Sequence, residues 1–240
     1  MTAVDIARAG TFEIPILYLD NHLLVAVKPP NLPSQADRSG DPDLLSGLKG
    51  YVAKKFDKPG DAYLGLLHRL DRPAGGVMAF ARTSKAAARL SAQFAGREVE
   101  KRYLAVAQGT IDGPAELEHW LFKDPATGDV RQAAEGQPGA KLARLGTRPI
   151  AGRGGTTLVE VILHTGRPHQ ARVQHLLIGH PLWGDSRYGG GRPGEQLALW
   201  AYRLSLNHPT TRERLTFAAP PPPDGAWAAY REEIEGLAGD

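Results

Sequence analysis

The sequence predicts an α+β domain dominated by sheet. Three observations lead there. Short apolar runs of strand length recur along the chain between turn-forming residues. Segments whose apolar residues repeat at helical spacing are inserted among those runs. No internal repeat or strong linker interrupts residues 13–220. One domain is therefore expected there, with residues 1–12 as an N-terminal arm and 221–240 as a C-terminal tail.

The elements follow in order. Ile14 to Leu19 and Leu23 to Lys28 are apolar runs joined by Asp20-Asn21-His22, a hairpin signal. Asp41 reads as an N-cap with Pro42 at the first helical position. Leu44, Leu45, Leu48, Val52 and Phe56 then share a helical period to about Lys55. Pro59 and Gly60 break the chain before Tyr63 to Leu67, and Gly76 to Ala81 reads as a buried strand. Ser84 is placed to cap a helix carrying Ala87, Leu90 and Phe94 on one face and ending at Gly96. Val99 to Ala107 reads as a strand. Residues 109–155 are rich in Gly, Pro and charge, with weaker strand signals around Leu142 to Leu145. Thr157 to Leu163 is a strand, and Pro168 to Leu177 a helix stopped by Gly179. Leu197 to Leu206 and Leu215 to Ala218 are late strands. Pro220 to Pro223 is stiff, and Ala226 to Glu235 can form a short helix.

Composition narrows the function. The 240 residues are enough to bury a sizeable core. With no cysteine, disulfides, thiolate-bound zinc and a cysteine nucleophile are excluded. The N-terminus lacks an apolar stretch of signal-peptide length, and no run approaches the roughly 20 residues of a membrane span. A cytoplasmic protein without a membrane partner is expected. A net charge of +3 permits a nucleic-acid partner without demanding one, because a local patch matters more than the sum.

Three segments concentrate chemistry. In His68-Arg69-Leu70-Asp71-Arg72-Pro73-Ala74-Gly75-Gly76, basic side chains surround one acid on a loop entering a strand. Cationic neighbours favour the ionised form of a carboxylate, which suits a nucleophile or base. A solvated ion-pair loop would carry the same residues. The Pro-Ala-Gly-Gly turn would let backbone approach a ligand closely. Thr165-Gly166-Arg167-Pro168-His169-Gln170-Ala171-Arg172 joins a strand to a helix N-terminus, where free amides and the Arg167, His169 and Arg172 side chains suit phosphate. A capped helix with a basic face is the simpler alternative. In Lys101-Arg102-Tyr103-Leu104-Ala105 an aromatic lies between basic residues, an arrangement that can stack a base or merely fill a core.

Together, His-Arg-Leu-Asp, Lys-x-Tyr-x-Ala, Gly-Arg-x-His-Gln-x-Arg and Gly179-His180-Pro181-Leu182-x-Gly184-Asp185-x-x-Tyr188-Gly189 occur in one order. This ordered set resembles the RluA-like pseudouridine synthases, and the likeness spans about residues 14–220. It includes Leu19-Asp20-Asn21 to Lys28-Pro29 at the start and Asn207-His208-Pro209-x-Thr211 at the end. The resemblance implies a mixed, mainly antiparallel catalytic domain with helices flanking an RNA-binding cleft. It also implies isomerisation of a uridine in structured ribosomal or transfer RNA, with no metal or organic cofactor; a monomer is expected. By the same resemblance Asp71 is the catalytic carboxylate, Tyr103 stacks on the target base, and Arg172 pairs with the aspartate. Leu204 is a looser match to a pocket leucine. His68, Arg69, Lys101, Arg167 and His169 are expected to contact RNA or line the pocket.

Departures from the family pattern fall at Ala74-Gly75, Pro168, Gln174 and Trp200. They bear on loop geometry and on the choice of RNA site. The glycine-rich run 189–194 is a poor dinucleotide motif, because no clear strand precedes it and Pro193 interrupts it. Two other readings stay open: an inactive RNA-binding member of the same fold, and a nucleosidase or glycosidase. The latter would ordinarily want two carboxylates about 5–10 Å apart, where the sequence shows one compelling acid rather than a pair.

Overall fold

The computed structural model describes residues 3–57, 60, 62–189, 191, 192 and 194–238. The chain divides into two compact units. One comprises Met1–Glu100 and Ala201–Ala219; the other comprises Lys101–Trp200 and Pro220–Asp240.

In the first unit, β1 (Asp5–Ala9), β2 (Phe12–Leu19), β3 (Leu23–Lys28), β5 (Gly75–Ala81) and β11 (Leu199–Asn207) lie in that order. The two-residue β4 (Gly65–Leu66) adds to β5, and β12 (Arg214–Ala218) adds to β11. Neighbours β1–β2, β2–β3 and β3–β5 are antiparallel. Every residue of β3 and β5 is buried, which accounts for runs that are apolar throughout rather than alternating. β1 occupies much of the segment expected to be an arm, because residues 5–9 pair with residues 12–16 across a Gly10 turn.

Two helices belong to this unit. α1 (Leu44–Lys55) buries Leu44, Leu48 and Val52, and its N-cap is Asp43, whose carboxylate accepts the Ser46 N–H at 3.0 Å. Asp41, the expected cap, instead meets Arg72. α2 (Ser84–Ala95) is capped by Thr83 rather than Ser84, its hydroxyl oxygen accepting the Ala86 N–H at 3.1 Å. Gly96 ends it as expected.

In the second unit the strand order is β6 (Glu100–Gln108), β10 (Thr156–Leu163), β9 (Lys141–Arg153), β7 (Ala115–Lys123), β8 (Val130–Gln132). All four pairings are antiparallel. The stretch rich in Gly, Pro and charge, with its weaker strand signals around Leu142 to Leu145, therefore holds β7, β8 and a long β9. α3 (Gln170–Leu177) lays Val173 into a small core with Leu121, Val130 and Ala143. The tail forms a 3-10 helix, Gly225–Tyr230, continuing into α4 (Arg231–Ala238). Fully buried Tyr230 joins it to β10 through the Thr156 hydroxyl, 2.8 Å away. Among the described residues no helix is long and apolar enough to cross a membrane.

Candidate active site

Asp71 sits half-buried on the loop between β4 and β5 in the first unit. The main chain on either side of it is fixed by the segment that follows β3. Ser34 Oγ donates to the Leu70 carbonyl at 2.8 Å and accepts the Leu70 N–H at 3.2 Å. The Arg72 carbonyl accepts from Lys28 Nζ at 3.0 Å and from the Asn31 N–H at 2.8 Å. The Asp71 carbonyl accepts the Ala74 N–H at 3.0 Å, which closes the turn. Buried backbone groups need such partners, and here they come from side chains and a loop rather than a strand.

Lys28 is the unusual member. Its side chain is fully buried, and its ammonium also donates to the carbonyls of Leu32 at 2.6 Å and Pro29 at 3.0 Å. Burial lowers its pKa to about 7, with nearby Asp71 opposing that shift and Arg72 adding to it. Desolvation disfavours the ammonium, and the three carbonyls and the carboxylate offset part of that cost. In the sequence Lys28 closes an apolar run and belongs to the opening motif, with no functional role assigned to it or to Ser34. A lysine ending an otherwise apolar strand was the available signal for Lys28.

The basic neighbours of Asp71 divide. His68 stacks on Phe94 with ring centroids 4.9 Å apart, and its Nε2 accepts the Ala79 N–H at 3.1 Å. An imidazole nitrogen that accepts a hydrogen bond is unprotonated, so this edge of His68 holds the loop against β5. Arg72 reaches the Asp41 carboxylate, the Ser39 hydroxyl and the Asn31 carbonyl. Arg69 is exposed. Gly76 has φ +124°, and a Cβ there would lie 2.3 Å from the Ala201 carbonyl oxygen. Gly76 is thus required by the close approach of another strand. Leu204 lies buried on β11 opposite Phe217.

The other candidates belong to the second unit. Tyr103, on β6 opposite Val161, is only 7% exposed. Arg102 and Arg148 both contact the buried Glu160, at 3.3 and 3.0 Å. Burial lowers the Lys101 pKa, and its Nζ lies 3.7 Å from where a Gly166 Cβ would stand. Lys101 therefore lies beside the Thr165-Gly166-Arg167 turn. That turn is ordered by Gln170, whose Oε1 accepts the Arg167 N–H at 3.0 Å and the Thr165 hydroxyl at 2.8 Å. Arg167 Nε donates to the Leu142 carbonyl at 2.9 Å. His169 precedes α3 in the left-handed region, φ 50°, and its Nδ1 lies 2.6 Å from the Tyr188 hydroxyl.

Arg172 has a two-pronged partner within its own unit. Its Nε and Nη2 donate to the two carboxylate oxygens of Asp185, at 2.8 and 2.7 Å, and its guanidinium lies 5.0 Å from the Tyr188 ring centre. Asp185 is buried and also accepts the backbone N–H groups of Arg187 and Tyr188. Asp185 and Tyr188 fall in the fourth ordered motif, which had been given no residue roles. Gln174, a departure from the family pattern, is fully buried; it accepts from Gln170 and donates to the Leu117 carbonyl at 3.1 Å.

Comparison with known proteins defines the class to which this α+β fold belongs. Residues 22–176 match the family described as RNA pseudouridylate synthase. The chain is 32% identical over 251 residues to ribosomal large subunit pseudouridine synthase D of Pseudomonas aeruginosa, covering 96% of this chain and 76% of that protein. It is 30% identical over 228 residues to tRNA pseudouridine synthase C of Pasteurella multocida, covering 86% and 90%. It spans 59% of the length of a Neisseria meningitidis ribosomal large subunit pseudouridine synthase D, at 32% identity over 88% of this chain. The solved structure of human RNA pseudouridylate synthase domain containing 4 shares the fold, with TM-score 0.71 over 92% of each chain at 22% identity. The class is that of isomerases acting on RNA. The chain belongs to the RNA pseudouridylate synthase family.

Proposed function

We propose that this protein converts a uridine of structured ribosomal or transfer RNA to pseudouridine, with Asp71 as the carboxylate that acts on the ribose. The supporting observation is the loop that carries Asp71, with hydrogen bonds to the residues on both sides of it and a buried lysine beneath. Family membership supports the reaction class. The reaction breaks the bond from the anomeric carbon to N1, forms one to C5, and exchanges the C5 proton for one on N1. Nothing is gained or lost, so neither a redox cofactor nor a phosphate donor is required.

The uridine must leave its stack, at a cost of a few kcal/mol. In this reading Tyr103 and Arg172 take the stacking and guanidinium roles that the resemblance assigns them. Lys101, Arg167 and His169 supply donors for the RNA backbone, and Arg69 adds an exposed cation on the Asp71 loop. The protein acts as a monomer.

Chemical mapping of pseudouridine in total RNA, with and without the gene, tests the proposal. Loss of one or a few sites is expected, restored by the wild type and not by Asp71→Asn. Substantial turnover by Asp71→Asn overturns the assignment of that residue. Release of free uracil would make the protein a nucleosidase.

A further inference from the structure

We infer that Ser34 is a positioning residue for catalysis, acting through the main chain of the residue that precedes Asp71. The inference rests on the proposed role of Asp71. Ser34 is 5% exposed, and its hydroxyl both donates to the Leu70 carbonyl and accepts the Leu70 N–H, at 2.8 and 3.2 Å. One side chain thus satisfies both backbone groups of Leu70, itself buried. Ser34 Oγ also lies 3.8 Å from Met78 Sδ on β5, so it cannot shift without meeting a packed strand.

The consequence is geometric. Backbone dihedrals at Leu70 set the direction in which the Asp71 side chain leaves the loop. Downstream, the Arg72 carbonyl is fixed by Lys28 and Asn31. Upstream, Ser34 is the fixed point. Without its hydroxyl, the peptide units of Leu70 lose their partners and the loop turns to regain them, moving the carboxylate. A displacement of about 1 Å at a reacting group can cost about 100-fold in rate.

The test compares Ser34→Ala and Ser34→Thr with the wild type. RNA affinity, single-turnover pseudouridine formation, thermal stability and hydrogen exchange at the Leu70 amide are measured on each. Ser34→Ala should slow the single-turnover step roughly 10- to 100-fold. It should leave RNA affinity within about threefold, since Ser34 is only 5% exposed and its hydroxyl is engaged with Leu70. The Leu70 amide should exchange faster. Ser34→Thr keeps the hydroxyl and should recover most of the rate.

A purely structural serine gives a different pattern: Ser34→Ala melts earlier while its folded fraction turns over normally. That result overturns the inference, as does equal loss of rate in Ser34→Thr and Ser34→Ala. If the wild type makes no pseudouridine, the reading of Asp71 fails instead. Faster Leu70 exchange in Ser34→Ala would then still show the hydroxyl holding this loop.

Discussion

Lys28 carries a pH dependence that its position makes measurable. Burial brings its pKa from 10.5 down to about 7 in the folded protein. Between those values the unfolded chain holds a proton that the folded protein has released, so stability rises with pH across the window. The contribution is complete above 10.5 and is lost as pH falls through about 7. Lys28→Met removes this term. The difference in unfolding free energy between wild type and Lys28→Met should grow in favour of the wild type from pH 7 to 10, by at most about 1.4 kcal/mol per pH unit. Denaturant titrations of both proteins across that range check it; parallel curves would show that Lys28 titrates normally. Tyr103 offers a second residue-level test. Stacking needs the ring, so Tyr103→Phe should keep capture of the flipped base. Tyr103→Ala should weaken capture by about 1–3 kcal/mol. Single-turnover rates measured beside melting temperatures separate this from a core role, in which alanine lowers the melting point while folded protein turns over normally.

At the scale of elements, the caps decide where helices begin. Asp43→Ala removes the acceptor for the Ser46 N–H and should cost about 1 kcal/mol of stability while leaving turnover unchanged. Asp41→Ala should cost little stability, because its partner Arg72 is an exposed pair, and its effect should fall on the Asp71 loop. Thermal melts and turnover assays on both variants distinguish them. The pair also shows what sequence could and could not convey. Asp41-Pro42-Asp43 offers two caps, and the choice fell to Asp43 because Leu44 is drawn into the core, its N–H bonding to the Pro33 carbonyl. Thr83 and Ser84 pose the same ambiguity. β3 and β5 were legible because they are apolar from end to end. β7 was not, because Glu116, Glu118 and His119 interleave with Leu117 and Leu121 on a strand with one wet face. Asp71 was singled out as the candidate carboxylate by its motif, which is local in sequence. Ser34 was not, because a serine that binds the chain 36 residues away has no local signature.

For the whole molecule, charge determines how RNA should be held. The chain has 29 lysines and arginines against 26 acids, and much of that charge is already matched within the protein. Arg8 with Glu13, Lys55 with Asp5, Arg144 with Glu118, Arg153 with Glu233 and Arg187 with Asp129 are surface pairs. Among the described residues no carboxylate forms an ion pair with Lys101 or Arg167, which flank the turn before α3. If RNA is the partner, affinity then comes from a few phosphate contacts rather than a broad basic face. Each contact releases counterions, and log affinity falls with log salt by about 0.7–0.9 per phosphate neutralised. The wild type should therefore show a shallow slope, about −2 to −4, where a protein making ten contacts gives about −9. Lys101→Ala and Arg167→Ala should each flatten it by about 0.7–0.9, with uniform weakening across RNA sequences. Filter-binding titrations from low to moderate salt measure these slopes directly. A wild-type slope near −9, unchanged by either substitution, would move the RNA contact to a different and far more basic surface.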